Sequence, residues 1–207
     1  MKSVLPDAPR GNASIDFFAR QFERQIAASQ FELNPFEAAA LPCLAGDVLD
    51  LGCGLGNLSL AAASRGARVT AIDACANAVE SLRRRASALG LDVDAVSADL
   101  REWRPARLWD AVACIGLLMF FAPAHARRGL ASVRDAVRPG GIAVVNVLVE
   151  GTTYLGMFDP AAHYLFAQGE AERAFAGWAV LSRAEDTFPA PGRTIKRFET
   201  VVAARPR

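Results

Sequence analysis

The sequence predicts an α/β fold built on a doubly wound, mostly parallel sheet with a C-terminal antiparallel hairpin. Three observations predict it. Strand-length apolar runs alternate with amphipathic helical stretches between about 47 and 149. The first run, Val48-Leu49-Asp50-Leu51, opens into glycines at alternate positions, Gly52, Gly54 and Gly56. Beyond 150 the rhythm changes to two strand-like runs joined by Phe188-Pro189-Ala190-Pro191-Gly192, which read as a hairpin closing one edge.

The elements follow in order. Residues 1–12 are polar, contain Pro and Gly, and read as loose. Ser14 to about Ser29 reads as a helix, with Phe17, Phe18, Phe22 and Ile26 on one face and Arg20, Glu23 and Arg24 between them. A shorter helix follows Pro35 and ends before Pro42. Strands are expected at 47–52, 67–73, 92–97, 109–115 and 141–149, with VRPGG at 137–141 as the turn into the last. Helices are expected at 57–65, 76–88 and 124–137, the first two stopping at Gly66 and Gly90. One or two helical turns at 170–177 precede strands at 178–185 and 194–203.

Composition narrows the function. A chain of 207 residues favours one domain with a full core, and a net charge of +1 gives no electrostatic footprint for nucleic acid. Asp7 and Arg10 interrupt an N-terminus without a long apolar run, so no secretion signal is expected. No run reaches the ~18 apolar residues of a membrane span. Cys43, Cys53, Cys75 and Cys114 are scattered, so neither a disulfide framework nor a metal site is expected. A reduced cytoplasm and a monomer or homodimer are the simplest expectations.

The glycine turn can bring backbone close to a ligand. Its spacing is G-x-G-x-G, not the G-x-G-x-x-G of a dinucleotide site. The second strand, Val69-Thr70-Ala71-Ile72-Asp73, ends in a carboxylate able to accept from a ribose diol. A ligand with a ribose but no pyrophosphate fits. DLGCGLG, AID at 71–73, ADL at 98–100 and VRPGG, in that order, resemble the class I S-adenosylmethionine-dependent methyltransferases.

The resemblance implies a seven-stranded Rossmann-like methyltransferase sheet with one reversed strand. It divides the chain into a helical cap (1–45), a cofactor-binding core (46–150) and an acceptor-side segment with the hairpin (151–207). It implies S-adenosylmethionine as cofactor, S-adenosylhomocysteine as product and a small-molecule methyl acceptor. The turn of Gly52, Cys53, Gly54 and Gly56 would cradle the methionine part. Asp50 would hold the turn or reach the amino group through water. Asp73 would bind the ribose hydroxyls and Ala74 would lie against the adenine. Asp99 would take the adenine amino group, with the Leu100 amide facing the ring. The Cys114 carbonyl would meet the ammonium. Other roles stay open: Asp99 as a turn cap, Asp73 as a helix cap, Cys53 and Cys75 as packing, the phenylalanines as core or lid, and Arg20 as a carboxylate partner.

WDAVACIGLLMFF at 109–121, VNVLVEGTTY at 145–154, the GW pair at 177 and 178, and TIKRFETVVAARP at 194–206 resemble the tellurite-resistance methyltransferases. That implies a tellurium or selenium oxyanion as acceptor. Glu185-Asp186-Thr187-Phe188 lacks the His-Arg pair that family carries there, while Arg193 matches a later arginine. The acceptor side is expected to draw on Tyr154, Phe158, His163, Tyr164, Phe166, Arg193 and Arg197. His163 as base or oxyanion donor and Arg193 as anion binder are the catalytic candidates, each with a plain structural role as the alternative. An organic acceptor, a non-catalytic binder and, last, an oxidoreductase are the other readings.

Overall fold

The computed structural model describes residues 12–101 and 103–207; the expectation of a loose segment at 1–12 falls almost wholly outside them. Two helices come first, α1 (Ala13–Ala27) and α2 (Pro35–Ala40). Asn12 caps α1 by accepting from the Ile15 amide at 3.1 Å. Asn34 and Glu37 cap α2 reciprocally in a capping box, with Pro35 in the first turn. The alternating core follows: β1 (Asp47–Leu51), α3 (Asn57–Ala63), β2 (Arg68–Asp73), α4 (Ala76–Leu89), β3 (Val93–Ser97), β4 (Trp109–Ile115), α5 (Pro123–Ala136) and β5 (Val137–Leu148). The chain closes with α6 (Glu170–Ala174), β6 (Ala179–Ala190) and β7 (Thr194–Ala204).

The seven strands form one sheet in the order β3-β2-β1-β4-β5-β7-β6, with β7 alone running against the others. Successive residues of the buried strands face opposite sides, so two cores form. Leu49, Val112, Val145 and Val201 meet one helical layer. Val48, Ala111, Val144 and Val202 meet the other. No helix among the described residues is long and apolar enough to cross a membrane.

Two strand expectations need correcting. β5 begins at Val137, opposite Trp109, and VRPGG lies in a bulge: β4 advances from Trp109 to Ala111 while β5 advances from Val137 to Ile142. β6 runs on to Ala190 through Pro189, which an edge strand accepts because one side needs no ladder donor.

Glu199 of β7 is fully buried and pins α6 to the sheet. Its carboxylate accepts from the Gly169 amide at 2.8 Å and the Glu172 amide at 3.3 Å, with Arg183 at 3.7 Å. Glu199→Leu should cost about 2–4 kcal/mol by leaving these donors buried without an acceptor. Denaturant unfolding checks this; a change within about 0.5 kcal/mol would remove Glu199 from the account of stability.

Candidate functional site

The sheet order reverses between β1 and β4, and a cavity of about 420 Å³ lies at the carboxyl ends of the strands there. Its floor is the turn after β1. The Gly52 and Cys53 amides both donate to the Ile72 carbonyl, at 2.8 and 3.1 Å. The Gly54 amide donates to Asp73 Oδ2 and the Cys75 amide to Asp73 Oδ1, each at 2.8 Å. Asp73 thus fastens the turn to the end of β2. Gly54 has φ +51°, and a Cβ there would sit 3.0 Å from the Phe22 ring. Gly56 has φ +70°, and a Cβ would come within 2.4 Å of Leu82 on α4. Neither position admits a side chain without strain.

Asp50 lies behind the turn, 4% exposed, with Oδ2 accepting from the Ser59 hydroxyl at 2.6 Å. Burial pushes its pKa up to about 7 against the pull of Ser59, and the charges of Glu37 and Asp73 push the same way. Burial also raises Asp73, opposed by the amides it accepts. Glu37 is raised by burial too, in part offset by the Asn34 amide. Three carboxylates therefore share one poorly solvated region around the turn, and a cation there relieves all of them. Asp99 differs. Burial pushes its carboxyl up, but the Arg101 side chain and amide together hold it below the ordinary value. Arg101 Nη2 donates to Asp99 Oδ2 at 2.6 Å and the Arg101 amide to Oδ1 at 2.9 Å.

α1 roofs the cavity with Ile15, Phe18 and Phe22. Its start is tied to a later loop: the Ala13 amide donates to Asp159 Oδ2 at 3.0 Å, and the Asp159 amide to Ser14 Oγ at 2.8 Å. Phe18 packs edge-on against Phe120 at 5.0 Å. Phe17 turns away toward the cluster of Met157 and Phe158. Arg20 is exposed and does not line the cavity.

The glycine turn with Cys53, Asp73, Ala74, Asp99 and Leu100 lies on the cavity wall. Cys114 does not: it is fully buried between Leu51 and Val145 in the ladder, and Ile115 and Gly116 form the wall beyond it. Burial pushes the Cys75 thiol up to about 12 and raises Cys53 and Cys114, so these cysteines are protonated at neutral pH.

The cavity wall beyond the glycine turn is lined by other residues than those expected there. His163 stacks on Phe158, ring centroids 5.0 Å apart, outside the cavity wall. Arg193 is exposed in the tight connection between β6 and β7. Phe166 is consumed by the core. The Tyr164 hydroxyl pairs with Glu170 at 2.7 Å and Arg127 at 2.6 Å, and Arg197 reaches the Glu150 carbonyl. Met157, Lys196 and Phe198 take that place, with Asn146 and Leu148 of β5. Asn146 is 1% exposed; its Nδ2 donates to Thr200 Oγ1 at 2.9 Å, and its Oδ1 has no partner among the described residues. No group of metal-ligating side chains occurs among the described residues.

Residues 48–141 match the family model described as methyltransferase domain. The match runs from β1 through the glycine turn into β5, a little under half of the chain. Among curated relatives, a ubiquinone biosynthesis O-methyltransferase of Rickettsia prowazekii is 30% identical over 101 residues, covering 49% of this chain and 39% of that protein. A cypemycin N-terminal methyltransferase of Streptomyces is 36% identical over 102 residues, covering 48% and 40%. The chain thus spans about two-fifths of the length of these relatives. In fold it is similar to TehB of Haemophilus influenzae, with a TM-score of 0.72 at 19% identity, over 93% of this chain and 67% of that one. It is also similar to the cyclase SpnF, with a TM-score of 0.70 at 16% identity over 99% of both chains.

Asp50 gives this site a pH signature. A carboxyl raised in the folded state stabilises fully below the ordinary value of 3.8, and that contribution is lost as pH rises through about 7. Asp50→Asn should flatten this decline. Denaturant unfolding at pH 5 and pH 8 should find the variant relatively more stable than wild type at pH 8. An identical difference at both pH values would show that Asp50 does not titrate in this range.

Proposed function

We propose that the chain transfers a methyl group from S-adenosylmethionine to a small organic acceptor held in the far half of the cavity. The observation that carries this reading is the gathering of Asp50, Glu37 and Asp73 around a glycine turn at the switch point of the sheet. When bound, the cofactor supplies an electrophilic methyl on a sulfonium, which with its ammonium is the positive charge these carboxylates favour. The donor set also fits its ribose. The Asp73 carboxylate, held by the Gly54 and Cys75 amides, lies on the cavity wall, where a ribose diol would meet it. Ala74 and Leu100 flank the adenine side, and Asp99 faces it while capping its own turn through the Arg101 amide.

The protein's contribution is mainly positional. The latched turn and the α1 roof fix the donor side and exclude water, so an acceptor on β5 and β7 is presented in line. Glu37 lines the cavity, and its burial-raised basicity suits it to take a proton from a neutral oxygen or nitrogen nucleophile. His163 and Arg193 have no part in this reading, since both lie off the cavity wall.

The lining by Phe36, Phe198 and Met157 favours an organic acceptor. A tellurium or selenium oxyanion is the second reading; Lys196, a cation at the cavity without an ion pair among the described residues, favours it.

Asp73→Ala should weaken S-adenosylhomocysteine binding by about 1.5–3 kcal/mol, read by calorimetry, with circular dichroism showing a folded chain. Unchanged affinity would remove Asp73 from the ribose. Transfer of labelled methyl to a panel of phenolic acids, thiols, tellurite and selenite should place label in an organic product. Cofactor binding with no transfer to any member would favour a binder over an enzyme, and displacement of the cofactor by a dinucleotide would overturn the reading.

A further inference from the structure

Resting on the methyl-transfer reading, the acceptor end of the cavity specifies a class of molecule. In the β5–β7 register, Asn146 pairs with Thr200 and Leu148 with Phe198. Alternation along β7 puts Lys196, Phe198 and Thr200 on one face, the face that carries Asn146. Phe36 of α2 covers this face, its ring 4.7 Å from Phe198 and 5.6 Å from Phe188. The result is a narrow aromatic slot with two polar ends.

Among the described residues, each polar end has a group with neither an ion pair nor a hydrogen bond, the Lys196 ammonium and Asn146 Oδ1. Lys196 is half-buried at the cavity, and its Nζ lies 5.0 Å from the centroid of the Tyr154 ring. Among the described residues it makes no ion pair or hydrogen bond, and burial holds its pKa below the ordinary lysine value. Asn146 Oδ1 is a buried acceptor to which nothing donates among the described residues. Lys196 sits too far from the glycine turn to serve the methionine end of the cofactor. β7 is three strands from β1, and neighbouring strands lie ~4.8 Å apart, so the separation is about 14 Å.

We propose that the methyl acceptor is a small aromatic carboxylate bearing a hydroxyl or amino group. Its carboxylate pairs with Lys196, its ring lies against Phe36 and Phe198, and its hydroxyl or amino group donates to Asn146 Oδ1. Among the described residues the lysine has the Tyr154 face and no anion beside it, so a carboxylate there meets a partly desolvated positive charge. The asparagine oxygen rejects molecules with no donor at that point. Lys196 is therefore a specificity-determining residue of the acceptor half.

The test is calorimetric titration of 4-hydroxybenzoate, 4-aminobenzoate, 4-hydroxybenzamide, tellurite and selenite into protein saturated with S-adenosylhomocysteine. The two carboxylates should bind roughly tenfold or more tighter than the amide. Lys196→Met should abolish that preference while S-adenosylhomocysteine binds as to wild type, and Lys196→Arg should restore most of it. Equal binding of carboxylate and amide, or no binding of either carboxylate, overturns the proposal, as does a preference that survives Lys196→Met. Binding of tellurite or selenite alone overturns it in favour of an inorganic oxyanion. A loss of S-adenosylhomocysteine affinity in Lys196→Met overturns it by giving the lysine to the cofactor. Failure of wild type to bind S-adenosylhomocysteine at all instead refutes the methyl-transfer reading itself.

Discussion

Two backbone amides, those of Gly54 and Cys75, converge on the carboxylate of Asp73. This contact closes the turn after β1 against the end of β2, and the site follows from it. The turn can lie so close to β2 only because its glycines adopt left-handed backbone and carry no Cβ. The same closure sets Asp73 near Asp50, whose charged form is disfavoured by its own burial and by the charges of Glu37 and Asp73. A fold that concentrates carboxylates in a poorly solvated crevice gives up stability near neutral pH. A cationic ligand would return it, so in the proposed reading the electrostatic cost of the turn and its preference for a sulfonium have one cause.

The far half of the cavity obeys a different constraint. There β7 runs antiparallel, so its first residues reach the carboxyl edge of the parallel strands. That reversal lets Lys196 and Phe198 stand beside Asn146 and Leu148, across from the glycine turn. α2 then presents Phe36 to the slot and Glu37 to the turn, joining the two halves with adjacent residues. The roof is held from both sides, since α1 is fastened to Asp159 and packs on Phe120.

Much of this was legible in the sequence. The alternation of apolar runs marked the succession of strands and helices along the chain, and the Gly52-to-Gly56 turn with Asp73 and Asp99 marked one wall of the cavity. Those signals are local: a turn, a strand end, a cap. The residues lining the rest of the cavity were harder to read, because they depend on which faces the hairpin and the 150–170 loop turn inward. Aromatic content pointed to Tyr164, Phe166 and His163, but these serve the core, a surface network and a stacking contact. Two overlooked signals were present. Asn146 is a lone polar residue in Val144-Val145-Asn146-Val147-Leu148, and Lys196 alternates with Phe198 on one face of an otherwise plain strand. Glu37 stands three residues after Asn34, at capping-box spacing, though nothing local told that its side chain would face the turn.

The central claim is that the poorly solvated carboxylates around the glycine turn, Asp50 above all, recognise a positively charged cofactor. The most direct measurement is the heat of S-adenosylmethionine binding at pH 7 in buffers of differing ionisation enthalpy. A carboxyl near pKa 7 that gains a cationic neighbour must give up part of its proton. The account predicts a binding heat that varies with buffer in the direction of net proton release, and a smaller release for the uncharged-sulfur product S-adenosylhomocysteine. Binding without any buffer dependence, or with equal dependence for the two, would contradict it.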